Sequence, residues 1–295
     1  MKKEQFLYGL VGFLLLVVLV LSARLPVLSR GPVESRPAGP VVSRPLPLSP
    51  PKPAVLPPGP ALSFPPGVGK IAIVLDDWGY TMKQVSGLRA IRRPVTVAVL
   101  PGLPHSAEVA QAARSSGHEV ILHMPMEAID PNVAKEGKLL RTGMPRQQVT
   151  DLLNKSLSTV PSARGVSNHQ GSKATSDPVL METVFRDLKR RGFYFLDSYV
   201  SNRSVCEEVA EKVKIPFARR AVFLDNEQSD AAIRKQLLEL ARVASRRGEA
   251  IGIGHDRPAM MAVLQRAVPA LEKAGYTLVP VSDLAEEARD SRSRD

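Results

Sequence analysis

From residue 70 onwards, short apolar runs alternate with amphipathic stretches along the chain. The apolar runs predict strands at residues 71–75, 95–100, 119–123, 165–168, 193–197, 217–219, 250–254 and 277–280. The amphipathic stretches predict helices at residues 82–91, 107–116, 146–159, 178–191, 204–213, 230–247 and 258–274. Four of these helices are followed by a glycine, at positions 117, 192, 248 and 275, which is typical of a helix stop. The regular alternation predicts one parallel α/β domain, and seven or eight strands fit a barrel better than an open sheet.

The first strand, in the stretch KIAIVLDDWG at residues 70–79, runs directly into two carboxylates. A continuous apolar run of this kind indicates a strand buried on both faces. Acids at its carboxyl end, Asp76 and Asp77, lie where α/β folds place their chemistry. Successive side chains of a strand point in opposite directions, so the two acids can share one site only if the chain turns there. We expect Gly79 to permit that turn, and the two acids to have different roles.

The amino terminus has the pattern of a membrane signal. Lys2 and Lys3 precede an uncharged apolar stretch at residues 6–21. The alternatives are a cleaved signal peptide and an uncleaved anchor, and the sequence LSAR at residues 21–24 is a poor cleavage site. We therefore predict a signal anchor at residues 1–25 and a single-pass protein of the bacterial inner membrane, with its folded domain at residues 70–285 on the extracytoplasmic side.

Between the predicted anchor and the domain lies a proline-rich segment. Residues 26–69 contain 14 of the chain's 26 prolines, which favours an extended, semi-rigid linker. A charged tail follows the domain at residues 286–295. The net charge is +11, and residues 1–69 carry +5 of it, from seven Lys/Arg and two Glu. Aromatic residues make up only 5% of the chain and do not interleave with basic ones, so we predict no nucleic-acid partner. The single cysteine, Cys206, excludes an intrachain disulfide.

Acidic and histidine side chains recur where the predicted strands end. Such residues are His123, His169, His255, Asp76, Asp77, Asp197 and Asp225. A single histidine or aspartate at a strand end is usually a loop or cap residue, but a barrel brings all of these ends together. Asp and His ligands suit a divalent metal such as zinc, with a nearby carboxylate as base and a histidine as acid. His105 either reaches the same rim or simply precedes a helix, and we assign no role to His118, at the other end of its strand.

Five motifs in order resemble those of a known family. IVLDDWG, HMPME, SNHQGS, FLDS and IGIGHDRP are similar to the motifs of the divergent branch of the polysaccharide deacetylase family, from residue 70 to about residue 284. The resemblance implies a distorted (β/α)7 barrel. It also implies removal of N- or O-acetyl groups from a sugar polymer, and we expect an acetylated cell-envelope polysaccharide. The reaction would use one divalent metal, most simply zinc.

The resemblance also implies residue roles. Asp76 matches the base, Asp77 and His123 match metal ligands, and His255 matches the acid. The family's second metal histidine lies four residues after the first, where this chain has Glu127. His169 is therefore predicted to complete the metal site, with Glu127 as the alternative ligand.

Two further expectations stay open at the level of sequence. Asp197 and Asp225 are candidates for substrate binding or metal ligation. The substitution at Glu127 also motivates an alternative function, in which the barrel is an inactive module that binds glycan or acts as an envelope scaffold.

Overall fold

The computed structural model describes residues 62–133 and 137–285, which contain one curved sheet of nine parallel strands. The strands are β1 (Gly69–Trp78), β2 (Thr96–Val99), β3 (Glu119–Met126), β4 (Gly165–Gln170), β5 (Tyr194–Asp197), β6 (Phe217–Arg219), β7 (Val222–Phe223), β8 (Glu249–His255) and β9 (Tyr276–Leu278). The helices are α1 (Val85–Arg89), α2 (Ser106–Ser115), α3 (Arg146–Ser158), α4 (Pro178–Arg190), α5 (Cys206–Val213), α6 (Asp230–Arg247) and α7 (Pro258–Lys273). The predicted parallel α/β fold is confirmed.

The sheet is an incomplete barrel, because its two edge strands are joined by a short chain segment and are not paired with each other. The strand order is β6-β5-β4-β3-β2-β1-β8-β7, with β9 paired to the start of β1. Only Arg220 and Ala221 separate the edge strands β6 and β7. The Arg220 amide donates to the Asp197 carbonyl of β5 (3.0 Å), and the Ala221 amide donates to the Ile251 carbonyl of β8 (2.8 Å). The chain therefore passes from one edge to the other without a ladder between β6 and β7.

Strand β1 is buried on both faces, as its apolar run predicts. Residues 71–75 have no exposed surface. Ile71, Ile73 and Leu75 pack in the larger core cluster, whereas Ala72 and Val74 belong to the smaller one. The smaller cluster also includes Ala98, Ile121, Ile253 and Leu284. Because alternate residues of β1 are buried in two clusters, the strand occupies the centre of the domain, between β2 and β8.

Several element boundaries differ from those that the sequence predicts. Strands β1 and β3 continue beyond their apolar runs, and the helix predicted at residues 82–91 is only Val85–Arg89. Strand β7 was not predicted, because two residues are too few to show a period. Residues 62–69, the end of the predicted linker, pack on the domain. Phe64 is buried in the core, and the Gly67 amide donates a hydrogen bond to the Ala274 carbonyl (3.0 Å).

No helix within residues 62–133 and 137–285 combines the length and the apolar character needed to cross a membrane. The predicted anchor at residues 1–25, the linker up to residue 61 and the tail at residues 286–295 lie outside the described residues.

Candidate metal centre and active site

A bulge at the end of β1 lets both adjacent aspartates face one site. In the pairing with β2, Leu75 lies opposite Val97 and Trp78 lies opposite Val99, so β1 carries one extra residue there. Asp77 has a left-handed backbone, with φ of 66°. From the sequence, we expected the chain to turn with the help of Gly79. The structure instead breaks the alternation of side chains two residues earlier, at Asp77.

Three side chains from three strands of the sheet converge next to this bulge. Asp77, His123 and His169 each place one donor atom within 4.8 Å of the other two. Asp77 Oδ1 lies 3.3 Å from His123 Nε2 and 3.0 Å from His169 Nδ1. The rings of His123 and His169 meet edge to face, with centroids 5.0 Å apart. Strands β1, β3 and β4 thus bring together the three residues that the sequence predicted as metal ligands.

A hydrogen bond from the neighbouring strand sets the orientation of His123. Its Nδ1 is bonded to the Ser167 hydroxyl (2.8 Å), while its Nε2 lies 3.5 Å from Asp76 Oδ2. His123 is buried, and burial alone would lower its pKa, but the charges of Asp76 and Asp77 raise it above the ordinary value. Ser167 was not predicted, since a serine inside a strand carries no sequence signal of this role.

The two aspartates differ in their electrostatic environment. Burial raises the pKa of Asp76, although the positive charge of His123 opposes the rise. Burial acts in the same direction on Asp77, but hydrogen bonds from His123 and His169 outweigh it and hold the pKa of Asp77 well below its usual range. Asp76 Oδ1 is buried and accepts no hydrogen bond from the described residues. The site therefore contains one firmly ionised carboxylate and one with a greater affinity for protons.

His255 lies beside the three predicted metal ligands and is held by Asp225. Asp225 Oδ1 is 2.9 Å from His255 Nδ1, and Asp225 Oδ2 accepts a hydrogen bond from the His255 amide (2.9 Å). The other ring nitrogen, Nε2, lies 3.6 Å from Asp77 Oδ2. Burial disfavours the charged imidazole, but the bond to Asp225 outweighs it and raises the pKa of His255. Asp225, predicted as a substrate or metal residue, instead lies behind His255.

The other two acidic candidates have their oxygens engaged away from the cluster. Glu127 Oε1 is paired with Lys173 Nζ (2.9 Å), and its Oε2 accepts bonds from the amide and hydroxyl of Thr142 (both 2.9 Å). Asp197 accepts bonds from the Tyr199 amide (2.7 Å) and the Ser204 hydroxyl (2.6 Å). Glu127 ties loops together, and Asp197 shapes the turn after β5, so both contacts are structural.

The remaining histidines lie apart from the cluster, and two other residues of the site escaped the sequence analysis. His105 is bonded to Glu108 at the start of α2. Phe223, on the short strand β7, packs against the His255 ring with centroids 5.4 Å apart. Asp256 follows His255 and donates its amide to the Asp76 carbonyl (3.2 Å). Burial and the charge of Asp77 raise the pKa of Asp256 to about 7.

The donor set fits a divalent cation such as zinc. Zinc takes imidazole nitrogen and carboxylate oxygen, and bonds of about 2.0–2.1 Å at tetrahedral angles separate donor atoms by about 3.3 Å. The separations of 3.3 and 3.0 Å between Asp77 Oδ1 and the two imidazole nitrogens are compatible with that arrangement. Three protein ligands also leave a fourth position for a reacting molecule, as in catalytic zinc sites.

Comparison with known proteins identifies the family of this chain. The family model described as "Divergent polysaccharide deacetylase" matches residues 73–285. The uncharacterised protein YibQ of Escherichia coli (strain K12) is 38% identical over 219 residues, which cover 74% of this chain and 68% of that protein. An uncharacterised protein of Haemophilus influenzae is 36% identical over 196 residues, covering 66% of this chain and 70% of that protein.

A solved structure shares the fold. The crystal structure of an uncharacterised protein from Agrobacterium tumefaciens C58 aligns with a TM-score of 0.70 and 28% sequence identity. The alignment covers 76% of this chain and 91% of that one. The two chains therefore share their fold over most of both lengths.

Proposed function

Because this chain belongs to the divergent polysaccharide deacetylase family, we propose that it is a metal-dependent hydrolase of acetyl groups on a cell-envelope polysaccharide. One observation carries the proposal. The donor set of Asp77, His123 and His169 lies at the same strand ends as a buried carboxylate, Asp76, and an oriented imidazole, His255. A hydrolase that cleaves an amide or ester needs these groups together: electrophilic assistance, a base for water and an acid for the leaving group.

The protein's own residues divide the proton transfers between them. Asp76 accepts a proton from water as the water oxygen attacks the acetyl carbonyl, and its raised pKa suits that task. His255 then donates its Nε2 proton to the departing sugar nitrogen or oxygen. Acetate and a free amine or hydroxyl result, so one water is consumed for each acetyl group removed. Asp225 keeps His255 in the orientation that points Nε2 into the site.

Asp77, His123 and His169 would hold the cation. A divalent ion such as zinc, bound there, supplies Lewis acidity to the carbonyl and to water. Asp77 is suited to a ligand role because the hydrogen bonds from His123 and His169 keep it ionised although it is partly buried. Its side chain is 28% exposed and that of His255 is 19% exposed, so a substrate can approach the cluster from solvent.

Acetate release by the full-length, zinc-loaded protein tests the proposal. Acetylated envelope polysaccharide is the direct substrate, and N-acetylated chitin oligosaccharides and O-acetylated xylan serve beside it to separate amide from ester cleavage. We expect wild type and the matched control His105→Asn to release acetate, and His255→Asn to release little. Failure of the wild-type protein on every acetylated glycan, or equal rates for His255→Asn and wild type, would contradict the proposal.

One feature supports a different function, that of an inactive module which binds glycan or acts as an envelope scaffold. At position 127, where the family's second metal histidine is expected, the glutamate is engaged by Lys173 and Thr142. On this alternative, glycan binds at the rim without turnover and does not depend on added metal. Binding that survives chelation, together with no acetate release, would favour the module over the enzyme.

We further propose that the domain is held at the bacterial inner membrane, on its extracytoplasmic side, by the segment at residues 1–25. Support comes from the basic head at Lys2 and Lys3 and the apolar stretch that follows. Protease treatment of spheroplasts tests this location. The domain should be digested without lysis and should stay with the membrane after an alkaline wash. Protection from protease in intact spheroplasts would contradict the proposed orientation.

A further inference from the structure

His169 owes its position to an unusual reversal of the chain at the end of β4. Gln170, which follows it, has a left-handed backbone with φ of 54°, and Gly171 has φ of 88°. Gly171 cannot carry a side chain there, because an added Cβ would lie 2.9 Å from Met126 Cβ. A left-handed conformation is unfavourable at a non-glycine residue, because its Cβ comes too close to the following carbonyl oxygen. The surrounding structure must therefore hold Gln170 in place, and with it the direction of the preceding residue, His169.

The side chain of Asn168 provides that hold. Asn168 is fully buried, and its Nδ2 donates to the Gln170 carbonyl (2.7 Å). Its Oδ1 accepts a hydrogen bond from the Ser198 amide (2.9 Å), and its main-chain carbonyl accepts one from the Ser198 hydroxyl (2.9 Å). One amide side chain thus spans His169, joining the residue after it to the loop that follows β5.

We propose that Asn168 is a positioning residue for the metal site, acting through His169. The inference rests on the proposed function, in which His169 completes the ligand set with Asp77 and His123. Asn168 clamps the reversed backbone on the far side of His169, and this orients the imidazole towards Asp77, 3.0 Å away. Loss of the clamp lets Gln170 relax out of the left-handed region and turns the ligand away. Partners that orient metal ligands typically contribute about 10–100-fold in metal affinity.

Zinc affinity, measured by calorimetry on the full-length protein, tests this inference. Asn168→Asp keeps the size of the side chain and its acceptor towards Ser198, but it places an oxygen against the Gln170 carbonyl. Thr96→Val is the matched control, because Thr96 is equally buried and its hydroxyl donates to Glu119 (2.8 Å) at the opposite end of the sheet. We expect Asn168→Asp to lose about 10–100-fold in zinc affinity. Thr96→Val should bind zinc as wild type does, even where its unfolding free energy falls.

The outcomes separate the inference from the proposed function. If wild type binds no zinc, the proposed function fails. If wild type binds zinc and Asn168→Asp binds within two-fold of it, only the role of Asn168 is overturned. The visible spectrum of the cobalt(II)-substituted protein gives a second readout, since a misplaced ligand alters it and a merely destabilised fold does not. If Asn168→Asp does not fold, Asn168→Ser decides instead, because it also removes the amide that donates to the Gln170 carbonyl: weaker zinc binding supports the inference, and unchanged binding overturns it.

Discussion

Two buried histidines, one at the amino end of β3 and one within the strand, experience opposite environments. His118 precedes the strand at its amino end, where Nε2 lies 3.1 Å from the Leu88 carbonyl and Nδ1 accepts the Val95 amide (3.4 Å). His123 lies further along β3, where its Nδ1 meets the Ser167 hydroxyl and its Nε2 faces Asp76 and Asp77. Burial lowers the pKa of His118, whereas for His123 the two carboxylates overcome burial and raise the pKa.

The difference shows what distinguishes a structural histidine from a functional one. Burial is nearly the same, at 5% exposure for His118 and 2% for His123. What differs is the partner of the second ring nitrogen. Backbone groups engage both nitrogens of His118, so that residue connects elements of the fold. His123 has one nitrogen held by a side chain and the other directed at ionisable groups, as metal-ligating histidines are.

The largest expected effect is a loss of zinc binding when His123, but not His118, is replaced by asparagine. His123→Asn should abolish stoichiometric zinc binding and acetate release, because two remaining ligands hold the ion poorly. His118→Asn should keep about one zinc per chain, since its ring contacts only backbone groups. Metal analysis after dialysis measures both. Equal loss of zinc from the two variants would contradict the distinction between His118 and His123.

A second comparison separates the ligands from the proposed acid. His255→Asn should lower kcat about 10²–10⁴-fold, the usual contribution of a general acid, because the leaving group then departs unprotonated. Its zinc content should remain that of wild type, since His255 lies outside the predicted ligand set. Steady-state kinetics and metal analysis on the same preparation check this. A variant of His255 that lost its zinc would show that the histidine is a ligand instead.

His118, at the amino end of β3, should contribute to the stability of the folded domain. His118→Asn should lower the free energy of unfolding by about 1–3 kcal/mol, because buried backbone groups at Leu88 and Val95 lose their partner. Denaturant unfolding of wild type and variant, both with zinc removed by chelator, gives the difference. A change below about 0.5 kcal/mol, the usual range for surface substitutions, would show that His118 is dispensable to the fold.

The smallest effect is on the pH dependence of stability. Burial lowers the pKa of folded His118 below its unfolded value of about 6.5, so the unfolded state binds more protons as the pH falls below that value. The stability contributed by neutral His118 is therefore complete above about pH 6.5 and declines towards acid. One group changes the slope by at most about 1.4 kcal/mol per pH unit. The difference in unfolding free energy between wild type and His118→Asn should therefore shrink between pH 7 and pH 5. A constant difference would contradict this assignment.

Much of the fold could be predicted because burial determines it locally. The apolar run at residues 71–75, closed by two acids, identified β1, and the glycines after helices such as α6 marked their ends. The limits of α1 and the two-residue strand β7 could not be predicted. Both depend on contacts with distant parts of the chain, such as the pairing of Val222 and Phe223 with β8.

The candidate site divides in the same way. The residue types at strand ends identified Asp76, Asp77, His123, His169 and His255, because parallel strands bring their carboxyl ends to one rim. The sequence left His169 and Glu127 as alternatives for the third ligand. In the structure, Lys173 and Thr142 engage Glu127, whereas His169 meets Asp77.

The sequence by itself determined which elements form and which chemistry gathers at their ends, since apolar period and residue type act over a few neighbouring positions. Only the tertiary structure decided how adjacent residues share one site, through the bulge and left-handed backbone at Asp77. It also decided which groups orient them: Ser167 for His123 and Asp225 for His255. These contacts join residues that lie 44 and 30 positions apart in the chain. Such hydrogen bonds depend on strand pairing and loop packing, and no local pattern of residues encodes them.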